Sequence, residues 1–255
     1  MRITPICLLG LASIGATLTG ESSPAFEVAT VKLSEPDTAT RRFLIEGRRF
    51  ATFHTSLADL VQFAYGLDPR QIADGPKWLT SVKFDVVGTA EGDGKPSEQE
   101  WMLMMANLLA DRFQLRFHLE KRELPVYAIV VDRDGQKLEP SDGDPNGLPS
   151  MGFRGRGELV ARNAKLADLA WELQSAVLDR PVVDQTGLTA RFNFTLAWTP
   201  DEFQSPAVAG VNGTTEEIFP GLFTAMRQQL GLRLEAVKSR VDVMFVEKAE
   251  VPGGD

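Results

Sequence analysis

Cysteine is nearly absent. The 255-residue chain has one, Cys7, inside an apolar N-terminal run and just after Pro5-Ile6, a poor setting for a lipid-attachment cysteine. Beyond residue 25 there is none, which excludes a disulfide framework, a thiol nucleophile and a thiolate-held metal there. Histidine is almost as scarce: only His54 and His118, with no H-E-x-x-H or comparable ligand spacing. No long apolar run follows the N-terminal one, so no membrane span is expected after it. Basic residues are outnumbered, 27 Lys plus Arg against 35 Asp plus Glu, for a net charge of −8. Nucleic-acid binders carry a basic stripe, so nucleic acid is not expected as a partner. Composition is otherwise globular, 43% hydrophobic and 24% charged.

What is present begins at the N-terminus. Met1-Arg2, the apolar run Ile3 to Leu18 and the small-residue exit Thr19 to Ala25 have the order of a secretory signal peptide. The run is interrupted by Pro5, Gly10 and Gly15 and is shorter than the roughly 20 residues a span needs. Cleavage after Ala16, Gly20 or Ala25 fits, and an uncleaved anchor is the rival reading. The expected location is extracytoplasmic, periplasmic or secreted.

Self-comparison then finds a repeat. Ser56-Leu57-Ala58-Asp59-Leu60 recurs as Lys165-Leu166-Ala167-Asp168-Leu169, Phe84-Asp85-Val86 as Phe192-Asn193-Phe194, and Phe113 to Lys121 as Leu230 to Lys238. A longer loop near residues 200–217 absorbs the drift in spacing. Two diverged tandem copies explain this economically. Ser56 and Ser97 are helix-capping residues, the latter with Glu100 in a capping box. Leu57, Leu60, Val61 and Ala64 have helical spacing, as do Leu166, Leu169, Ala170 and Leu173. Strands are expected at 49–54, 83–89, 115–120 and 124–132 in the first copy, and at 191–198, 232–238 and 241–247 in the second, with Phe26 to Leu33 as an extra strand. A helix is expected from Pro220 to Gly231. The fold class is α+β: two tandem two-layer units, each a mostly antiparallel sheet with helices on one face. The expected organisation is a signal peptide over 1–25, a first unit over 26–132, a Gly/Pro/Asp-rich linker over 133–156 and a second unit over 157–255.

Several of these segments carry a family resemblance. They are Phe26-Glu27-Val28-Ala29-Thr30-Val31-Lys32, Phe63-Ala64-Tyr65-Gly66, Gly75-Pro76-Lys77-Trp78-Leu79, Leu109 to Phe113, Leu124-Pro125-Val126-Tyr127, Arg180 to Leu188 and Gln229 to Leu232. In this order they resemble an uncharacterised exported bacterial family with a domain of unknown function, expanded in soil acidobacteria. Some members are fused behind a membrane metallopeptidase of the beta-lactam-sensor type. The resemblance implies export and a link to envelope sensing, and it carries no established activity. More distantly, each unit is similar to the small signalling domains of secretins and TonB-dependent transducers.

The remaining motifs assign no catalytic, cofactor or metal residue. Gly92-Asp93-Gly94-Lys95-Pro96-Ser97 imitates a phosphate loop, but Thr89 stands where its first glycine belongs and Pro96 where the metal-holding hydroxyl belongs. Asp142-Gly143-Asp144-Pro145-Asn146-Gly147 imitates a calcium loop, but Phe153 replaces the bidentate glutamate, and the same residues are turn formers. Arg41-Arg42-Phe43 and Arg48-Arg49-Phe50 read as a ribbon with arginines outward, or as a grip for an anionic polymer. Trp101 and Trp171 read as core or contact residues and Trp78 as part of a packed turn. Asp59 and Asp168 fall at the third helical position, where a carboxylate caps. The leading expectation is therefore an exported non-enzymatic binding module of the cell envelope, its partner an unknown envelope protein or glycan. An envelope hydrolase using carboxylates or a scattered serine, and a structural envelope protein, are the alternatives.

Overall fold

The computed structural model describes residues 24–35, 41–155, 157–201 and 219–253. Residues 1–23 of the expected signal peptide (1–25) and 202–217 of the expected long loop (200–217) lie outside the described residues. The architecture is α+β with mostly antiparallel sheets. The first sheet has the order β1 (Phe26–Leu33), β5 (Lys83–Ala90), β3 (Arg49–Ser56), β2 (Arg42–Glu46), with every pair antiparallel. Its inner face carries α1 (Leu57–Tyr65) and α3 (Glu98–Arg112). Ser56 starts α1 because its hydroxyl accepts the Asp59 N–H while the Asp59 carboxylate takes back the Ser56 N–H at 2.8 Å. Ser97 and Glu100 repeat the device at α3. Trp101, Met105 and Leu109 then fall on one helical face and are buried against Phe50 and Phe84.

A second antiparallel group holds β7 (Glu139–Pro140), β11 (Phe192–Ala197), β9 (Glu158–Ala164) and β8 (Ser150–Phe153). It packs with α4 (Leu166–Glu172), which continues as a π turn over Leu173–Val177, and with α5 (Leu222–Ala225), which continues as another over Met226–Leu230. The stretch expected as a linker, 133–156, supplies β7 and β8. It orders itself because Leu138 is buried in this core and Met151 and Phe153 pack against it.

Between the two groups run the longest elements, β6 (Arg116–Val131) and β12 (Leu232–Lys248), antiparallel from Leu232 opposite Val131 to Lys248 opposite Arg116. Each was expected as two strands. The interruption read from Lys121-Arg122-Glu123 and Ser239-Arg240 is not a turn but the water-exposed middle of a ribbon whose two ends enter different cores. Met244 and Val246 of β12 join the core built from residues 31–115, and Ile129 of β6 joins the core that holds Leu232 and Leu234. Short parallel strands complete the ribbon. β4 (Ile72–Asp74) lies on β12, and β10 (Val182–Asp184) lies on β6. Both are three residues long, too short to show alternation in the sequence. Pro125 falls outside the Tyr127–Ile129 stretch paired to β10, so no strand on that side needs its missing N–H. α2 (Trp78–Ser81) closes the first core, with Trp78 edge-on to Phe84 at 6.2 Å.

Local detail recurs between the halves. His54 and Asn163 both take left-handed φ, 55° and 52°, at sheet irregularities. Each donates its backbone N–H at 2.9 Å to a side chain of the neighbouring strand, Asp85 for His54 and Asn193 for Asn163.

Met244→Ala leaves a cavity in a core built, apart from Val246, by residues 31 to 115. It is expected to lower unfolding free energy by about 2–5 kcal/mol in denaturant titration; a loss under about 1 kcal/mol contradicts the shared-strand packing.

Candidate binding site between the two cores

The polar groups that matter lie where the two halves meet. Arg191 precedes β11, and only 8% of its side chain is exposed. Its guanidinium donates to Pro145 O at 2.8 Å, Asn163 O at 2.7 Å and the Glu98 carboxylate at 3.1 Å. Lys165 reaches the same Glu98 oxygen at 2.9 Å. Glu98, in the first turn of α3, thus anchors two cations of the other half. Burial pushes the Glu98 carboxyl up, but Lys165 and Arg191 outweigh it and hold it below the usual range. Arg191 and Asn163 also pin the segment 142–147, since the Asn163 amide donates to Asp144 O at 2.7 Å.

The calcium-loop imitation is tied into this arrangement. Asp144 Oδ1 accepts the Asn146 N–H at 2.9 Å, an Asx turn. Among the described residues no group of three or more His, Cys, Asp or Glu side chains is placed to hold a metal ion. The phosphate-loop imitation, 92–97, is the connection that ends in the cap of α3. Both segments instead wall a cleft of about 710 Å³, lined by Ile45 and Gly47 of the β2–β3 hairpin, Lys95, Pro96, Ser97, Glu100, and Asp144, Asn146, Gly147 and Leu148. That volume lies within the range of ligand-binding clefts. β2 is the outer strand of its sheet. Glu46 pairs Arg49 across a two-residue turn, so the backbone groups of Phe43 and Ile45 point away from β3.

The hairpin arginines are mostly committed. Arg41 pairs with Asp59 at 2.7 Å, Arg48 bonds Ala90 O and pairs with Glu27, and Arg42 stands 5.4 Å over the Phe53 ring. Phe50 is fully buried and Phe43 stacks on Phe63 at 5.7 Å. Strand alternation therefore accounts for the Arg-Phe pattern. Trp101 is fully buried. His118 lies on the exposed ribbon between Glu247 at 2.8 Å and Glu120 at 3.3 Å, and the Glu247 bond draws its pKa upward.

A second junction forms around Asp68, whose side chain is 1% exposed. Arg70 grips it with two bonds, 2.6 and 2.7 Å, and donates onward to Gln174 O at 2.9 Å. Between the junctions lies α4. Asp168 caps it by accepting the Lys165 N–H at 2.7 Å, as the sequence implied. Burial raises the Asp168 carboxyl to about 6; the Lys165 N–H offsets part of that rise and the Glu98 charge adds to it. One turn on, burial pushes Glu172 up to about 7; Arg41 of the other half offsets only part, and Asp168 adds. Glu98, Glu172, Arg191 and Arg70 carried no sequence signal, because the contacts of Arg191 with Glu98 and of Arg70 with Gln174 span more than 90 positions and Glu172 is perturbed chiefly by burial.

These features define an α+β protein with two apolar cores on one long antiparallel ribbon and its concavities where the cores meet. The chain belongs to the DUF3738 family, proteins of unknown function, which it matches over residues 58–249. No curated protein and no solved structure matches the chain.

Glu172 carries a pH prediction. Unfolded it titrates near 4.5, folded at about 7. Across that window the folded chain keeps a proton the unfolded chain releases, so stability falls as pH rises from about 4.5 to 7. Glu172→Gln is expected to leave stability nearly unchanged at pH 4 and raise it by about 1–2 kcal/mol at pH 8 in denaturant titrations. An equal effect at both pH values contradicts the assignment.

Proposed function

We propose that this chain is an exported, non-enzymatic binding module of the cell envelope, built from two diverged copies of one α+β unit and serving sensing or signalling. The observation that carries the binding role is the 710 Å³ cleft, which draws its walls from the β2–β3 hairpin, the start of α3 and the 142–148 segment. The occupant that suits it is an extended peptide segment of an envelope partner. Ile45 offers outward backbone groups for strand addition, Leu148 an apolar contact, and Lys95, Glu100 and Asn146 polar ones. The Arg191–Glu98–Lys165 network holds the walls in place before binding, which lowers the ordering cost. Support for two copies comes from the paired caps at Asp59 and Asp168 and the paired left-handed residues His54 and Asn163. Support for export is the order of the first 25 residues.

One observation favours the hydrolase reading. Asp168 and Glu172 are carboxyls raised toward neutrality, the property of a general acid. It ranks second because Asp168 is committed to its helix cap and neither residue lines the cleft.

The test uses the chain from Pro24 as bait in an envelope extract of its own host, read by mass spectrometry beside two variants. Ile45→Pro removes an N–H that faces away from β3, a substitution an edge strand tolerates. Leu148→Glu places a charge in the cleft. Leu148→Glu is expected to keep the thermal midpoint within about 3 °C, the effect of under 1 kcal/mol, Ile45→Pro to lower it further because the Ile45 side chain packs against the first core, and both to stay folded and lose a stoichiometric protein partner. A partner retained by both variants, a glycan in its place, or no partner at all overturns the peptide-cleft reading.

A further inference from the structure

A smaller cavity, about 270 Å³, lies on the other side of the junction and is lined by Arg41, Gln62, Asp68, Pro69, Arg70, Gln174, Ser175 and Leu178. Its polar atoms divide into two sets. Arg70 and Asp68 satisfy each other, and the Ser175 hydroxyl donates to Trp171 O at 2.6 Å. These groups build the wall. The second set has donors to spare. Gln174 is 5% exposed, and its Oε1 accepts the Val182 N–H at 3.0 Å, which fixes the amide's orientation and leaves Nε2 without a partner among the described residues. Gln62, contributed by the first half, is 2% exposed, and its side-chain amide makes no hydrogen bond among the described residues. Arg41 uses Nη1 on Asp59, and its Nε and Nη2 have no acceptor among the described residues. A buried amide nitrogen without a partner costs stability, and among the described residues Gln62 Nε2 is one of few such atoms.

We propose that this cavity binds a small carboxylate, which bridges the two halves by accepting from Gln174 Nε2, from the Gln62 amide and from Arg41. Pro69 and Leu178 supply apolar walls for a short carbon substituent. A carboxylate fits because each of these groups can donate and Arg41, which also pairs with Asp59, is the cation among them. The ion pair of Arg70 with Asp68 contributes no net charge. The site is independent of the peptide cleft, which shares none of its lining residues.

The experiment follows the side-chain amide signals of Gln62 and Gln174 by NMR in the chain from Pro24 onward. The probes are propionate for a free acid, N-acetylalanine for a peptide C-terminus, and N-acetylalanine amide as the neutral control. At least one of the two carboxylates is expected to shift both amides saturably, with millimolar affinity, and the neutral amide to shift neither; which carboxylate binds better identifies the source. Arg41→Gln is expected to weaken binding at least about fivefold, the loss of one charge-assisted hydrogen bond. Gln62→Leu is expected to weaken it by a similar factor while keeping or raising the thermal midpoint, because the amide it removes makes no bond. Absence of a saturable shift with either carboxylate, equal binding of the neutral amide, or unchanged affinity in both variants overturns the proposal.

Discussion

The β6–β12 pairing is the interaction on which the rest of this structure depends. Two strands of 16 and 17 residues run antiparallel over nearly their whole length, and each end of the ribbon belongs to a different core. The last strand of the chain therefore packs, through Met244 and Val246, among residues drawn from positions 31 to 115. The short parallel strands β4 and β10 flank opposite sides of the ribbon, each beside the long strand from the other half of the chain. Neither core is complete without the ribbon. Closing contacts of such sequence separation is entropically costly, and the stability gained must come from many ladder bonds and buried side chains acting together.

With the cores tied, the charges at their junction have a fixed geometry. Arg191 is nearly buried, and a buried cation left unpaired is costly. Three acceptors surround it, one from α3 and two from the second half, so it sets register between the halves. Asp168 and Glu172 sit on the same helix face in the same junction and are disfavoured as anions. The junction is thus well paired at Glu98 and poorly paired at Glu172.

How much of this the sequence reveals follows from the range of each interaction. Ser56 with Asp59, Ser97 with Glu100, and the apolar spacing of Leu57, Leu60 and Val61 are local, so α1, α3 and the strands beside them were readable. The long strands were readable except for their continuity, because Lys121 to Glu123 and Arg240 are charged for a tertiary reason. β4 and β10 were invisible: three residues of parallel pairing leave no period. The motif imitations at 92–97 and 142–147 both wall the cleft, a place that depends on where the fold brings them. Arg191 meeting Glu98, and Gln62 meeting Gln174, are consequences of packing alone.

The measurement that bears most directly on this account is native-state hydrogen exchange under rising denaturant, comparing amides of α1 and α3 with those of α4 and β9. Because both cores rest on one ribbon, the slowest amides of the two groups are predicted to converge on the same opening free energy and the same denaturant dependence. Two distinct limits, with one group exchanging through an opening that leaves the other closed, would show that the halves stand independently and that the ribbon is a connector rather than the shared support.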